Sequence, residues 1–137
     1  FNDMIYAKNH FELVLTLANA RMTNEVKEHV ERGFPINYEL NGKGWTLMHS
    51  AAYTGDIALL EYVVELGGDP NFAEGGELWT PLMIVAICGN PECARIIITG
   101  NVDLQLKDRE SLTAKDLALK YKNYDVYEIL EKCGQIY

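Results

Sequence analysis

From residue 10 onward, apolar residues come in short clusters at helical spacing, broken at regular intervals by glycine, proline and polar residues. "VKEHVERGFPIN", "LEYVVELGGDPN" and "ARIIITGNVDLQ" align without gaps from Val26, Leu60 and Ala94. Their ends at Asn37, Asn71 and Gln105 are each 34 residues apart. A shorter apolar segment precedes each one: "HFELVLTLANA", "TLMHSAAYTG" and "TPLMIVAICG". A fourth unit, "SLTAKDLALKYKNYDVYEILEKCG", places Thr113 only 33 residues after Thr80, because the loop before it is one residue shorter. The pattern predicts four helix–turn–helix units joined by hairpin-like loops, at about 10–37, 44–71, 78–105 and 111–134.

Local chemistry agrees with these boundaries. Thr46 can cap a helix start, because its hydroxyl can accept an orphan backbone N–H. Thr80 adds Pro81 at the first helical position, where the missing N–H costs nothing. Gly55 and Gly89 fall where the first helix must stop and reverse. Leu59, Leu60, Val63 and Val64 give the second helix an apolar face, and Ala51 and Ala52 let neighbouring helices approach closely. One unit alone cannot bury such faces; stacking buries them against the next.

These residues resemble the ankyrin repeat, whose motif runs roughly G-x-T-P-L-H-x-A-A-x-x-G, then a V-x-x-L-L-type helix, then G-A-D-x-N. The second unit supplies Gly44, Thr46, Met48, His49, Ala51, Ala52, Gly55, Gly67, Asp69 and Asn71. The third supplies Thr80, Pro81, Leu82, Ala86, Gly89, Asp103 and Gln105. The resemblance covers residues 10 to 134 and implies an all-α solenoid. Departures are Leu47 for the motif proline, Met83 for its histidine, and Arg21 and Lys122 for its turn glycine. Lys115 replaces a buried leucine, and the polar "LKYKNYDVYEILEK" reads as a C-terminal cap. The tetratricopeptide repeat shares the 34-residue period, but its Trp should be followed by x-x-Leu-Gly and Tyr. Trp45 is followed by Thr, Leu, Met and His.

Composition narrows the partners. The formal charge of −8, with no Lys/Arg run, disfavours phosphate backbones and so direct nucleic-acid binding. No stretch is long and apolar enough for a membrane span. The first ten residues lack the pattern of a signal peptide. The chain starts with Phe, so it reads as part of a longer protein. Cys88, Cys93 and Cys133 form no CxxC pair; Cys88 and Cys93 are expected to be buried small hydrophobes in an intracellular, cytoplasmic or nuclear protein.

No catalytic constellation is present. His10 and His29 lack a nucleophile or carboxylate at motif spacing and read as exposed helix positions. The resemblance gives His49 a structural role, bonding loop backbone and tethering adjacent units. "NGKG" and "EGGE" lack the strand–loop–helix context of a phosphate site, and no metal-ligand cluster occurs. No cofactor and no enzymatic activity are expected.

The resemblance implies a protein or peptide partner held by the loop tips and the exposed face of the first helices, which form a concave groove. Carried over position by position, this gives Trp45 and Trp79 before the motif Thr, Tyr53 and Ile87 after the alanine pair, and the loop residues Tyr38, Lys43, Phe72, Glu74, Glu77 and Leu78. Trp and Tyr are common anchors at interfaces, although a Trp here can also lie flat on the neighbouring loop. Phe72 and Leu78, if exposed, are harder to explain by packing. Glu74 and Glu77 suit a partner with basic residues. The longer first and second loops are expected to project beyond the third. Two other functional classes stay open: the regulatory or targeting arm of an enzyme, and a self-associating module.

Overall fold

A computed structural model describes residues 12–38, 44–73 and 75–136. Among them every regular element is a helix. Helix α1 covers residues 12–19. It is followed by α2 (Thr23–Glu31), α3 (Leu47–Thr54), α4 (Ile57–Glu65), α5 (Pro81–Cys88), α6 (Pro91–Ile97), α7 (Ala114–Lys120) and α8 (Tyr124–Ile136). Helices α3, α5 and α7 pack in one row, α4, α6 and α8 in a second. Each of these six helices therefore touches its counterpart about 34 residues away, as an α-solenoid requires.

The helices start where side chains can cap them. Thr46 accepts the His49 N–H, Thr80 the Met83 N–H and Thr113 the Asp116 N–H. Asp56 and Asn90 do the same for α4 and α6. Helix α2 is the exception: Met22 stands at its N-cap with no side-chain bond. Helices α3 and α5 end on Gly55 (φ 71°) and Gly89 (φ 83°), in the left-handed region that glycine enters without Cβ strain. Arg21 (φ 62°) and Lys122 (φ 60°) adopt the same backbone at the matching positions, so the turn survives the loss of its glycine.

Between the rows the core is continuous. Leu59, Leu60 and Val63 of α4 and Cys93, Ala94 and Ile97 of α6 are buried. Each large aliphatic side chain of this kind contributes about 1.5–3 kcal/mol by leaving water. Ala51, Ala52 and Ala86 are buried in the first-helix row, where their small size lets successive helices meet. Lys115 points into solvent and pairs with Glu131 at 3.1 Å, consistent with a polar end to the stack. Two expectations are corrected. Cys88 is exposed, because at the last residue of α5 its side chain faces outward, in register with Thr54 and Tyr121; only Cys93 is buried. His29 is half-buried, since it shares the register of the buried Val63 and Ile97. His10 lies outside the described residues.

Neighbouring units are also stitched by polar contacts that repeat with the period. Asn37 Oδ1 accepts the Asp69 N–H at 2.7 Å, and Asn71 Oδ1 accepts the Asp103 N–H at 2.6 Å. Arg21 donates to the Thr54 carbonyl at 2.6 Å, and the Thr23 hydroxyl donates to Asp56. At the other end, Asn123 Nδ2 donates to the Ala86 and Ile87 carbonyls at 2.6 and 3.0 Å. The bonds from Arg21 and Asn123 satisfy helix-end carbonyls that would otherwise lack partners.

Candidate partner-binding surface

The surface is organised around a buried histidine. His49 is almost without solvent exposure. Its Nδ1 accepts the Thr46 N–H at 3.2 Å and lies 2.9 Å from the Thr46 hydroxyl. Its Nε2 lies 2.9 Å from the Trp79 carbonyl. A carbonyl can only accept, so Nε2 carries the proton and Nδ1 stays free to complete the capping box. Burial pulls the pKa down to about 4, with the Trp79 bond opposing the shift.

Aromatic rings gather around this imidazole. The Trp45 ring lies 5.6 Å from that of His49 and 5.9 Å from that of Tyr53, the latter edge-on. Phe72 meets His49 edge-on at 6.5 Å. Of these residues Tyr53 is the most open, at 62 % exposure. Phe72 is half-buried, so the packing against His49 accounts for much of its placement.

The two tryptophans are half-buried against the core, and each indole N–H is satisfied within the chain. Trp45 donates to the Ser50 hydroxyl at 2.7 Å, Trp79 to Asp108 at 3.2 Å. Neither N–H is therefore left to bond a partner. Asp108, 6 % exposed, also accepts the Glu110 and Leu112 N–H groups at 2.9 and 3.0 Å. One carboxylate thus folds the third loop and fixes Trp79 to it. Sequence reasoning did not select Asp108; the available signal was an Asp opening the turn-like stretch "DRES", where its side chain can bond the backbone two residues on.

Leu78 takes an unexpected role. Its φ of 59° matches Gly44 (63°) and Ser111 (65°), each two residues before the capping threonine. All three sit where the chain turns from loop into helix, and only Gly44 does so without Cβ strain. Leu78 is half-buried but stands outside the hydrophobics packed on the core. Glu77 is exposed, while its carbonyl accepts the Arg109 N–H at 3.0 Å; the Arg109 side chain bonds the Gly76 carbonyl. The second loop is therefore tied to the third.

The remaining sites are placed as follows. Ile87 is half-buried one position before Cys88. Tyr38 is half-buried, with its ring edge-on to Phe34 at 5.7 Å. Lys43 and Glu74, and with them most of the first loop, lie outside the described residues. The structure thus brings Trp45, Tyr53 and Phe72 together through His49 and links Trp79 to the same residue through its carbonyl. Among the described residues no cluster of three or more His, Cys, Asp or Glu could hold a metal ion, and no helix is long and apolar enough to cross a membrane.

Comparison with known proteins bears on the same repeats. The family model described as ankyrin repeat matches residues 77–109, from the second loop through the third. The chain is 31 % identical over 111 residues to ankyrin repeat and SAM domain-containing protein 6 of Rattus norvegicus, covering 81 % of this chain and 12 % of that protein. It is 30 % identical over 87 residues to dauer abnormal formation protein 25 of Caenorhabditis elegans, covering 64 % and 22 %. Glycerophosphocholine phosphodiesterase gde1 of Schizosaccharomyces pombe is 26 % identical over 107 residues, covering 78 % and 9 %. The chain thus spans less than a quarter of each of these relatives. With the periodic helix pairs, the Thr–His capping box and the family match in agreement, the chain is a member of the ankyrin repeat family.

Proposed function

We propose that this chain is a four-unit ankyrin domain that binds a protein or peptide partner along its loop bases and first-helix faces, without catalysis. Ankyrin repeats are a protein-interaction fold. Here the observation that carries the reading is Tyr53: a large aromatic ring, 62 % exposed, held edge-on against Trp45 at the base of the first loop. A partner that covers it desolvates a ring already fixed in position, so little ordering entropy is lost on binding. Trp45, Trp79, Tyr38, Phe72, Leu78 and Ile87 would extend the contact, with their half-buried rings and chains giving shape. Lys43, Glu74 and Glu77 would form its charged rim. The formal charge of −8 favours a partner with basic residues through encounter rate more than through contact energy.

The test is capture of partners on the immobilised chain, followed by the variants Tyr53→Ala and Trp45→Phe. Tyr53→Ala should release the captured proteins at unchanged helicity and melting temperature. Trp45→Phe keeps the ring and should retain them. Retention of the same proteins by Tyr53→Ala would move the site away from this face.

A second reading rests on the relatives. Two are named as enzymes, the phosphodiesterase gde1 and tyrosine-protein kinase HTK16 of Hydra vulgaris, and the chain covers 9 % and 7 % of them. The same surface would then serve as a regulatory or targeting arm. A catalytic motif in the reading frame flanking this segment would favour it.

A further inference from the structure

A groove of about 540 Å³ runs between α4 and α6 on the second-helix row, and none of its lining comes from α3, α5 or α7. The half-buried Tyr62, Val64 and Ile96 give it an apolar surface. Val64 also borders an adjoining recess of about 350 Å³ between the ends of the two helices, where Asp69 stands. Charge along this path is unbalanced. Both bases of the groove are already engaged: Arg95 pairs with Glu92 at 2.9 Å, and the Lys27 ammonium lies 5.1 Å from the centre of the Tyr62 ring. Glu61 and Glu65, exposed on the α4 wall, form no ion pair among the described residues, and neither does Asp69 beyond them. The next groove, between α6 and α8, is balanced, with the acids Asp125 and Glu128 and the bases Arg95 and Lys132.

We infer that the α4–α6 groove takes an extended basic segment of a partner protein, with Lys or Arg at alternate positions and apolar residues between them. The apolar surface gives such a segment something to bury, and the unpaired carboxylates select its charge. Spacing favours an extended chain. Glu61 and Glu65 are four residues apart on α4, about 6 Å along its axis. Alternate residues of a strand are about 6.6 Å apart and point to the same side. Neighbouring basic side chains of the segment therefore meet both carboxylates, while the residue between them turns toward Ile96 on the facing helix. Asp69 and the C-terminal ends of α4 and α6 extend the negative field along the same path. This surface is independent of the first-helix face around Tyr53, because the two share no residue.

Fluorescence anisotropy of a labelled Lys-Val-Lys-Val-Lys peptide, titrated with the 137-residue chain, tests this. Wild type should bind it saturably, and more tightly than the isomer Lys-Lys-Lys-Val-Val, which has the same charge without the alternation. The double variant Glu61→Gln/Glu65→Gln should weaken binding about tenfold, the upper range for two exposed charge pairs, at unchanged circular dichroism. Asp125→Asn/Glu128→Gln removes as much charge from the balanced groove and should leave the affinity as it was. Tyr53→Ala should also leave it unchanged, which separates this surface from the first-helix face. Absence of saturable binding, or equal affinity for the two peptides, overturns the inference. So does an equal loss in the two charge-neutralised variants, which would reduce the effect to a general pull of an acidic chain, or a loss in Tyr53→Ala.

Discussion

His49 Nε2 donates to the carbonyl of Trp79, 30 residues away, while its Nδ1 receives the N–H of Thr46. One neutral imidazole thereby starts α3 and binds the second unit to the loop of the third. Both bonds require a single tautomer, and a proton on Nδ1 would break the bond from Thr46.

Stability should therefore depend on pH through His49. Its folded pKa of about 4 lies below the ordinary 6.5, so between these values the unfolded chain binds a proton that the native chain refuses. The contribution is complete above pH 6.5, falls as pH drops toward 4, and amounts to roughly 3 kcal/mol. Urea unfolding at pH 7.5 and 4.5 measures it. His49→Gln, which can still accept the Thr46 N–H but does not titrate, should lose most of this slope; an unchanged slope would assign it to other groups.

Asp108 holds Trp79 and two backbone N–H groups from a nearly dry site. Asp108→Ala leaves those donors without a partner and should cost about 2–3 kcal/mol. Asp108→Asn keeps one oxygen for the backbone and should cost less. Denaturant midpoints followed by Trp fluorescence give both values, and equal losses would show that the backbone bonds at Oδ1 matter little.

Leu78 pays a conformational penalty that Gly44 avoids at the matching position. Leu78→Gly should raise stability by about 1 kcal/mol, the lower end of the cost of a left-handed non-glycine residue. If Leu78 contacts a partner, the same variant should weaken binding while it stabilises the fold. A loss of stability would mean that its side chain packs more than its half-burial implies.

Gly67 and Gly89 have nearly the same φ, 85° and 83°, but different surroundings. A Cβ at Gly67 meets nothing within 4 Å, whereas at Gly89 it would lie 2.5 Å from the Asn123 side chain. Gly67→Ala should cost about 1–2 kcal/mol, from backbone strain alone. Gly89→Ala should cost more, and its excess should shrink in the Asn123→Ala background, as contacting sites couple. Equal costs at the two glycines would show that Asn123 moves aside freely.

Much of the fold was legible because it rests on local rules. Helical spacing in "LEYVVELGG", the caps at Thr46 and Thr80, and the reversals at Gly55 and Gly89 depend on residues within a turn of one another. The 34-residue step then fixed which segments are equivalent, and equivalence within a solenoid implies stacking. The site was less legible. Trp45 and Trp79 could be placed on the loop bases, but whether an indole N–H points to Ser50, to Asp108 or to solvent depends on chain that folds back from elsewhere.

Sequence by itself determined the repeat, the helix pairs and the positions that face a neighbouring unit, since each follows from periodicity and short-range hydrogen bonding. Tertiary structure decided the rest. It buried His49 against Trp79, set Phe72 against that ring, left Tyr53 outside, and placed Asp108 beneath Trp79. It also put Leu78 in a glycine's conformation, because the loop must enter α5 at the angle its neighbours impose. Burial and long-range partnership are sums over residues some 30 positions apart, and no local pattern encodes them.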